Sequence, residues 1–103
     1  MYERLIEIDQ LPNSGLLRIQ RGDQDLVVCV DQGQYFVLEN RCSHQNEPLH
    51  RGRLRNGCIY CPYHGARFDL ATGAAESAPA TRSIHVYVSR ICAGVLEIFV
   101  DES

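Results

Sequence analysis

Residues 84–88 read Ile-His-Val-Tyr-Val. Ile84, Val86 and Val88 alternate with His85 and Tyr87, the period-two pattern of a strand with one buried face. Similar short runs, rich in Val, Ile, Leu and aromatics, recur at roughly 4–8, 16–20, 26–30, 34–38, 58–60, 66–70 and 95–100. Turn-forming clusters separate them: Pro12-Asn13-Ser14-Gly15, Asp31-Gln32-Gly33, Asn56-Gly57, Thr72-Gly73 and Ala93-Gly94. No segment carries sustained helical periodicity. The pattern predicts an all-β protein, an antiparallel sandwich or barrel, with residues 41–65 as its least strand-like part.

A chain of 103 residues that is 45% hydrophobic suits one compact domain spanning 1–103, without linker or internal repeat. The N-terminal MYERLIEID has no apolar signal core, and the longest apolar runs, such as 26–30, are too short to span a bilayer. A soluble, cytoplasmic, unexported protein is therefore expected, with no membrane partner. The net charge of −3 argues against nucleic acid, whose phosphates call for a basic surface. Charge is unevenly placed, however. All ten basic residues are arginine, and Arg41, Arg51, Arg53, Arg55, Arg67 and Arg82 are opposed between 41 and 82 only by Glu47, Asp69 and Glu76. That stretch carries +3 and the remainder −6.

Five cysteines, odd in number and irregularly spaced, point to metal ligation rather than a disulfide framework. Two of them stand close to histidines: Cys42-x-His44 and, sixteen residues on, Cys61-x-x-His64 within YCPYHGARFD. Two loops bearing two donors each can surround a metal from both sides. Pro62 stiffens the second loop, and Gly65 removes a side chain where backbone N–H groups approach whatever is bound. Such groups favour a negatively charged guest, of which a bridging sulfide is one. A structural zinc site uses the same donor types, although zinc fingers ordinarily pair cysteine with cysteine and histidine with histidine. Cys29, Cys58 and Cys92 lie in or beside apolar runs and read as small buried hydrophobes. His50 and His85 lack a partner at ligand spacing and read as exposed or strand-face residues.

CSH with CPYHGARFD, over residues 41–69, resembles the Rieske iron-sulfur family, whose motif is Cys-x-His, a spacer, and Cys-x-x-His. The length and strand content are similar to those of small Rieske ferredoxins, and the Pro79 region resembles the proline loop beside the cluster. The resemblance implies a Rieske fold, an antiparallel β sandwich with a small cluster-binding subdomain of two loops at about 41–69. It implies one 2Fe-2S cluster, with Cys42 and Cys61 on the inner iron and His44 and His64 on the outer. Two neutral imidazoles in place of thiolates leave the oxidised centre uncharged and easier to reduce, which puts the potential between roughly −150 and +300 mV. High-potential members add a cysteine pair where this chain has Glu47 and Tyr63, and hydroxyls where it has Ala66 and Phe68. The lower part of the range is expected here.

The resemblance further implies a monomeric one-electron carrier rather than an enzyme. Such a protein is the ferredoxin component of a bacterial multicomponent oxygenase, passing electrons from a flavin-dependent reductase to a terminal oxygenase of the aromatic-ring hydroxylating kind. The alternatives are the small subunit of a nitrite-reductase-like enzyme, which commonly lacks the ligands, and a zinc-stabilised interaction module. Arg51, Arg53 and Arg55 lie between the ligand pairs, either as a solvated loop or as a docking element for an acidic partner.

Overall fold

The computed structural model describes residues 1–43, 46–63, 65–76 and 82–101. Ten strands run through the described residues: β1 (Tyr2–Glu7), β2 (Gly15–Arg21), β3 (Gln24–Asp31), β4 (Gln34–Glu39), β5 (Arg53–Arg55), β6 (Cys58–Tyr60), β7 (Arg67–Asp69), β8 (Val86–Tyr87), β9 (Ser89–Cys92) and β10 (Val95–Phe99). A single turn of 3-10 helix, Ile8–Gln10, follows β1. The strands form three antiparallel sheets, ordered β1-β10-β9, β2-β3-β4-β8 and β5-β6-β7.

The core follows from β3. Its residues Leu26, Val27, Val28, Cys29 and Val30 are all buried, so this strand is covered on both faces. Alternation sends Leu26, Val28 and Val30 to one side, where they join Val37, Leu96 and Ile98. Val27 and Cys29 point to the other, joining Leu38, Leu49, Ile59, Phe68, Leu70 and Ile84. The four-stranded sheet is thus a middle layer with a separate core on each face. Full burial of a Leu or Phe side chain contributes about 1.5–3 kcal/mol, so both cores are substantial.

Three hairpins turn on pairs of residues with positive φ: Gln32-Gly33, Asn56-Gly57 and Ala93-Gly94. This is the two-residue turn whose twist matches that of the flanking strands. Ala93 adopts φ 51° with a Cβ, at a cost that asparagine largely avoids. Ala93→Asn is expected to stabilise the fold by about 1 kcal/mol, raising the thermal midpoint by roughly 4–8 °C, as differential scanning calorimetry would show.

The expected strand over 84–88 is corrected. Only Val86 and Tyr87 pair with β4, and Val88 is 62% exposed, whereas Ile84 is buried and Val86 half-buried. At Val88 the chain leaves the four-stranded sheet and begins β9, which pairs with β10 in another sheet. Residues 53–55, expected in a loop, form β5. Pro79 lies outside the described residues. Among the described residues no helix is long and apolar enough to cross a membrane.

Candidate metal centre

Cys42 lies three residues beyond β4, and the exit is fixed by Asn40, which is 4% exposed. Its Oδ1 accepts from the backbone N–H of Leu49 at 2.7 Å and of His50 at 2.8 Å. Its Nδ2 donates to Asp25 Oδ1 at 3.1 Å and lies 2.8 Å from His50 Nδ1. The backbone N–H of Asn40 donates to the Asp25 carbonyl at 2.8 Å. One amide side chain therefore ties both ends of the first loop to β3. His50 is a half-buried partner in this network, neither exposed nor on a strand.

The two cysteine loops are closed by the same pair of main-chain bonds. The Cys42 N–H donates to the Glu47 carbonyl at 2.7 Å, and the Asn46 N–H donates to the Cys42 carbonyl at 2.8 Å. In the second loop the Cys61 N–H donates to the Ala66 carbonyl at 2.7 Å, and the Gly65 N–H donates to the Cys61 carbonyl at 3.1 Å. The fifth residue of each ring has positive φ, 60° at Asn46 and 72° at Gly65. Glycine and asparagine tolerate that conformation best.

Both rings bring a sulfur into the same core. Cys42 is 1% exposed and Cys61 3%, and they share one buried cluster with Leu49, Ile59, Ala66 and Phe68. The small sheet sets this depth. On β6 and beyond, Ile59 and Cys61 point inward while Cys58 and Tyr60 are only half-buried. Cys58, three residues before Cys61, is thereby turned off the site. Gly52 allows the chain before β5 to lie against β6, because a Cβ there would be 1.9 Å from the Tyr60 carbonyl. Gly73, at φ +77°, lets the segment entering β8 press in; its carbonyl accepts from the Ile84 N–H at 2.9 Å, and a Cβ would meet the Ile84 carbonyl at 2.0 Å. Ser43 Oγ donates to the Arg82 carbonyl at 2.6 Å, tying the first loop to the same segment.

The other cysteines separate by environment. Burial, with the Asp31 charge second, pushes the Cys29 thiol up to about 12, so it stays neutral. Burial also raises Cys58, with Asp69 and Glu76 adding to it and Arg67 opposing. Cys92 is exposed, contrary to its expected burial. His85 is exposed and meets the Tyr87 ring edge-on at 4.4 Å. His44 and His64 lie outside the described residues. Asn40 escaped the sequence reading, since one amide after an apolar run carries no distinguishing signal.

Two buried thiols, on matched loops converging in one apolar core, suit a soft metal centre held by sulfur. Similarity to known proteins agrees. Over 84 residues the chain is 31% identical to apoptosis-inducing factor 3 of Homo sapiens and of Mus musculus, covering 82% of this chain but spanning only 14% of the length of those relatives. It is 34% identical over 79 residues to the anthranilate 1,2-dioxygenase ferredoxin subunit of Burkholderia cepacia, covering 77% of this chain and 73% of that protein. It is 32% identical over 96 residues to the 3-phenylpropionate/cinnamic acid dioxygenase ferredoxin subunit of Photorhabdus laumondii, covering 92% and 90%.

Among solved structures, Sphingomonas yanoikuyae B1 ferredoxin superposes with a TM-score of 0.89 at 30% identity, covering 98% of this chain and 100% of that one. A chain from the complex of reduced oxygenase and oxidized ferredoxin in carbazole 1,9a-dioxygenase gives 0.85 at 26%, covering 94% and 91%. The relatives of similar length are named as ferredoxin subunits of dioxygenases. The family's domain carries one 2Fe-2S cluster, the expected cofactor. With residues 2–88 matching the model of the Rieske [2Fe-2S] domain, the chain belongs to the Rieske iron-sulfur family.

Proposed function

We propose that residues 1–103 form a single Rieske domain acting as a mobile, monomeric, cytoplasmic one-electron carrier. It takes electrons from a flavin-dependent reductase and delivers them to a terminal oxygenase of the aromatic-ring hydroxylating kind. Cys42 and Cys61 hold the inner iron, His44 and His64 the outer. The observation that carries the ligand reading is the matched pair of rings, which bring Cys42 and Cys61 into one buried cluster. The neighbours of position 64, Tyr63 and Gly65, are exposed, which supports an electron path through the histidine side. The partner reading rests on the ferredoxin subunits of dioxygenase systems to which the chain is similar.

When bound, the cluster accepts and releases one electron without making or breaking a bond to substrate. The chain's own residues set how readily it does so. Ala66 and Phe68 line the buried cluster beside both cysteines and offer no hydroxyl, so no O–H donates to the sulfurs from these positions. Purified protein is expected to be red-brown, with a Rieske EPR signal on reduction and a potential in the lower part of the −150 to +300 mV range, about −150 to 0 mV by voltammetry. Reconstitution with reductase and oxygenase pairs, scored by hydroxylated product, tests the partners. A colourless protein with stoichiometric zinc would reject the carrier reading.

A further inference from the structure

Beside the second ring lies a recess of about 320 Å³ lined by Arg51, Arg53, Tyr60, Cys61 and Pro62. Its arginines differ from five of those elsewhere. Arg4, Arg18, Arg21, Arg41 and Arg90 each face a carboxylate, whereas Arg51, Arg53 and Arg55 make no ion pair with any described residue. Arg53 lies over the Tyr60 ring, 5.8 Å from its centroid, and all three are exposed. Pairing on β5 turns Leu54 toward the core and leaves Arg53 and Arg55 outward, so β5 presents charge as a rigid strand. Pro62 and Tyr63 are exposed at the ring's tip, Tyr63 by 48%. Arginine and tyrosine are the side chains that most often anchor protein interfaces.

We propose that Arg51 and Arg53, which line this recess, together with the exposed Tyr63 that follows its lining residue Pro62, dock a carboxylate-bearing face of a protein redox partner. The inference rests on the carrier reading and deepens it. The segment 41–82 is net positive and the remainder net negative, so the charge asymmetry steers an acidic partner toward the end of the molecule that holds Cys61. The recess places the captured carboxylates beside the loop through which the electron leaves. Desolvation there strengthens each arginine–carboxylate pair, and the planar guanidinium favours two-point contact.

The test uses the reduced holoprotein at low ionic strength with two small oxidants. One electron passes to hexacyanoferrate(III), an anion, or to hexaammineruthenium(III), a cation, and each metal falls to the divalent state with no proton transferred. In Arg51→Gln/Arg53→Gln the rate with hexacyanoferrate is expected to fall about tenfold and the rate with hexaammineruthenium to rise. Arg4→Gln, on a different sheet, should leave both rates near those of the parent. Poly-L-glutamate should bind the parent by calorimetry and slow its reaction with hexacyanoferrate, with both effects weakened in the double variant but not in Arg4→Gln. The single variants Arg51→Gln and Arg53→Gln each show part of the effect should the double variant lose its cluster. A coloured protein whose kinetics ignore probe charge, or which does not bind poly-L-glutamate, overturns the docking surface alone. A protein without the Rieske spectrum overturns the carrier reading, and calorimetry still reads the docking surface.

Discussion

His64→Ala protein is expected to purify with iron reduced from about two atoms per chain to under a tenth of that, and with the Rieske EPR signal lost. On the proposed ligand set, removing the imidazole would leave the outer iron short of a ligand on the loop whose neighbouring residues, Tyr63 and Gly65, are exposed. His44→Ala should behave alike. Cys58→Ser is the informative contrast, because Cys58 sits only three residues before Cys61 yet points to the other side of β6. Its variant should keep full colour, as should Cys29→Ala, whose buried neutral thiol belongs to the core of β3. Converting both histidines to cysteine should retain iron but lower the potential toward about −400 mV, since two thiolates add negative charge to the centre. Full cluster content and electron transfer in His64→Ala would refute the ligand assignment.

Asn40→Leu keeps the volume of the side chain and removes every bond it makes. The N–H groups of Leu49 and His50 then lose their acceptor, Asp25 loses a donor, and the His50 ring loses a hydrogen-bond partner. Each buried orphan costs about 1–3 kcal/mol, so a loss of about 2–5 kcal/mol is expected from a total of about 5–15. Chemical denaturation monitored by cluster absorbance measures it. The same network is acid-sensitive. The hydrogen-bonded Arg18 guanidinium holds the Asp25 carboxyl below the usual carboxylate range, with Asn40 adding to the effect against the opposing influence of burial. The folded value lies below the unfolded one, so this contribution is complete at neutral pH and is lost as pH falls through the folded value. An Asn40→Leu protein as stable as the parent would show that the first loop is held by other means.

Much of this structure was legible because short β-branched runs and glycine turns state a sheet plainly. The strands from β1 to β4, with β6, β7 and β10, all overlap expected runs. β5 was hidden by its own charges, since its two outward residues are arginines and only Leu54 faces the core. Val88 misled because alternation continues through a residue at which the chain changes sheets, and period two cannot reveal a change of partner. Cys92 was taken as buried on residue type, but β9 is a sheet edge whose exposed residues include Ile91 and Cys92. Spacing alone singled out Cys42 and Cys61, which the fold brings into one buried cluster, while His44 and His64 of the same motif lie outside the described residues. The ring closures were not readable, since they use backbone groups that every residue shares.

That last property bears on how such a centre can be altered over evolutionary time. Because the mounts are built from peptide groups, most side chains around them can be exchanged without reopening either one. Pro62 and Tyr63, exposed on the second loop, are therefore open to selection for affinity or driving force while the sulfurs stay where they are.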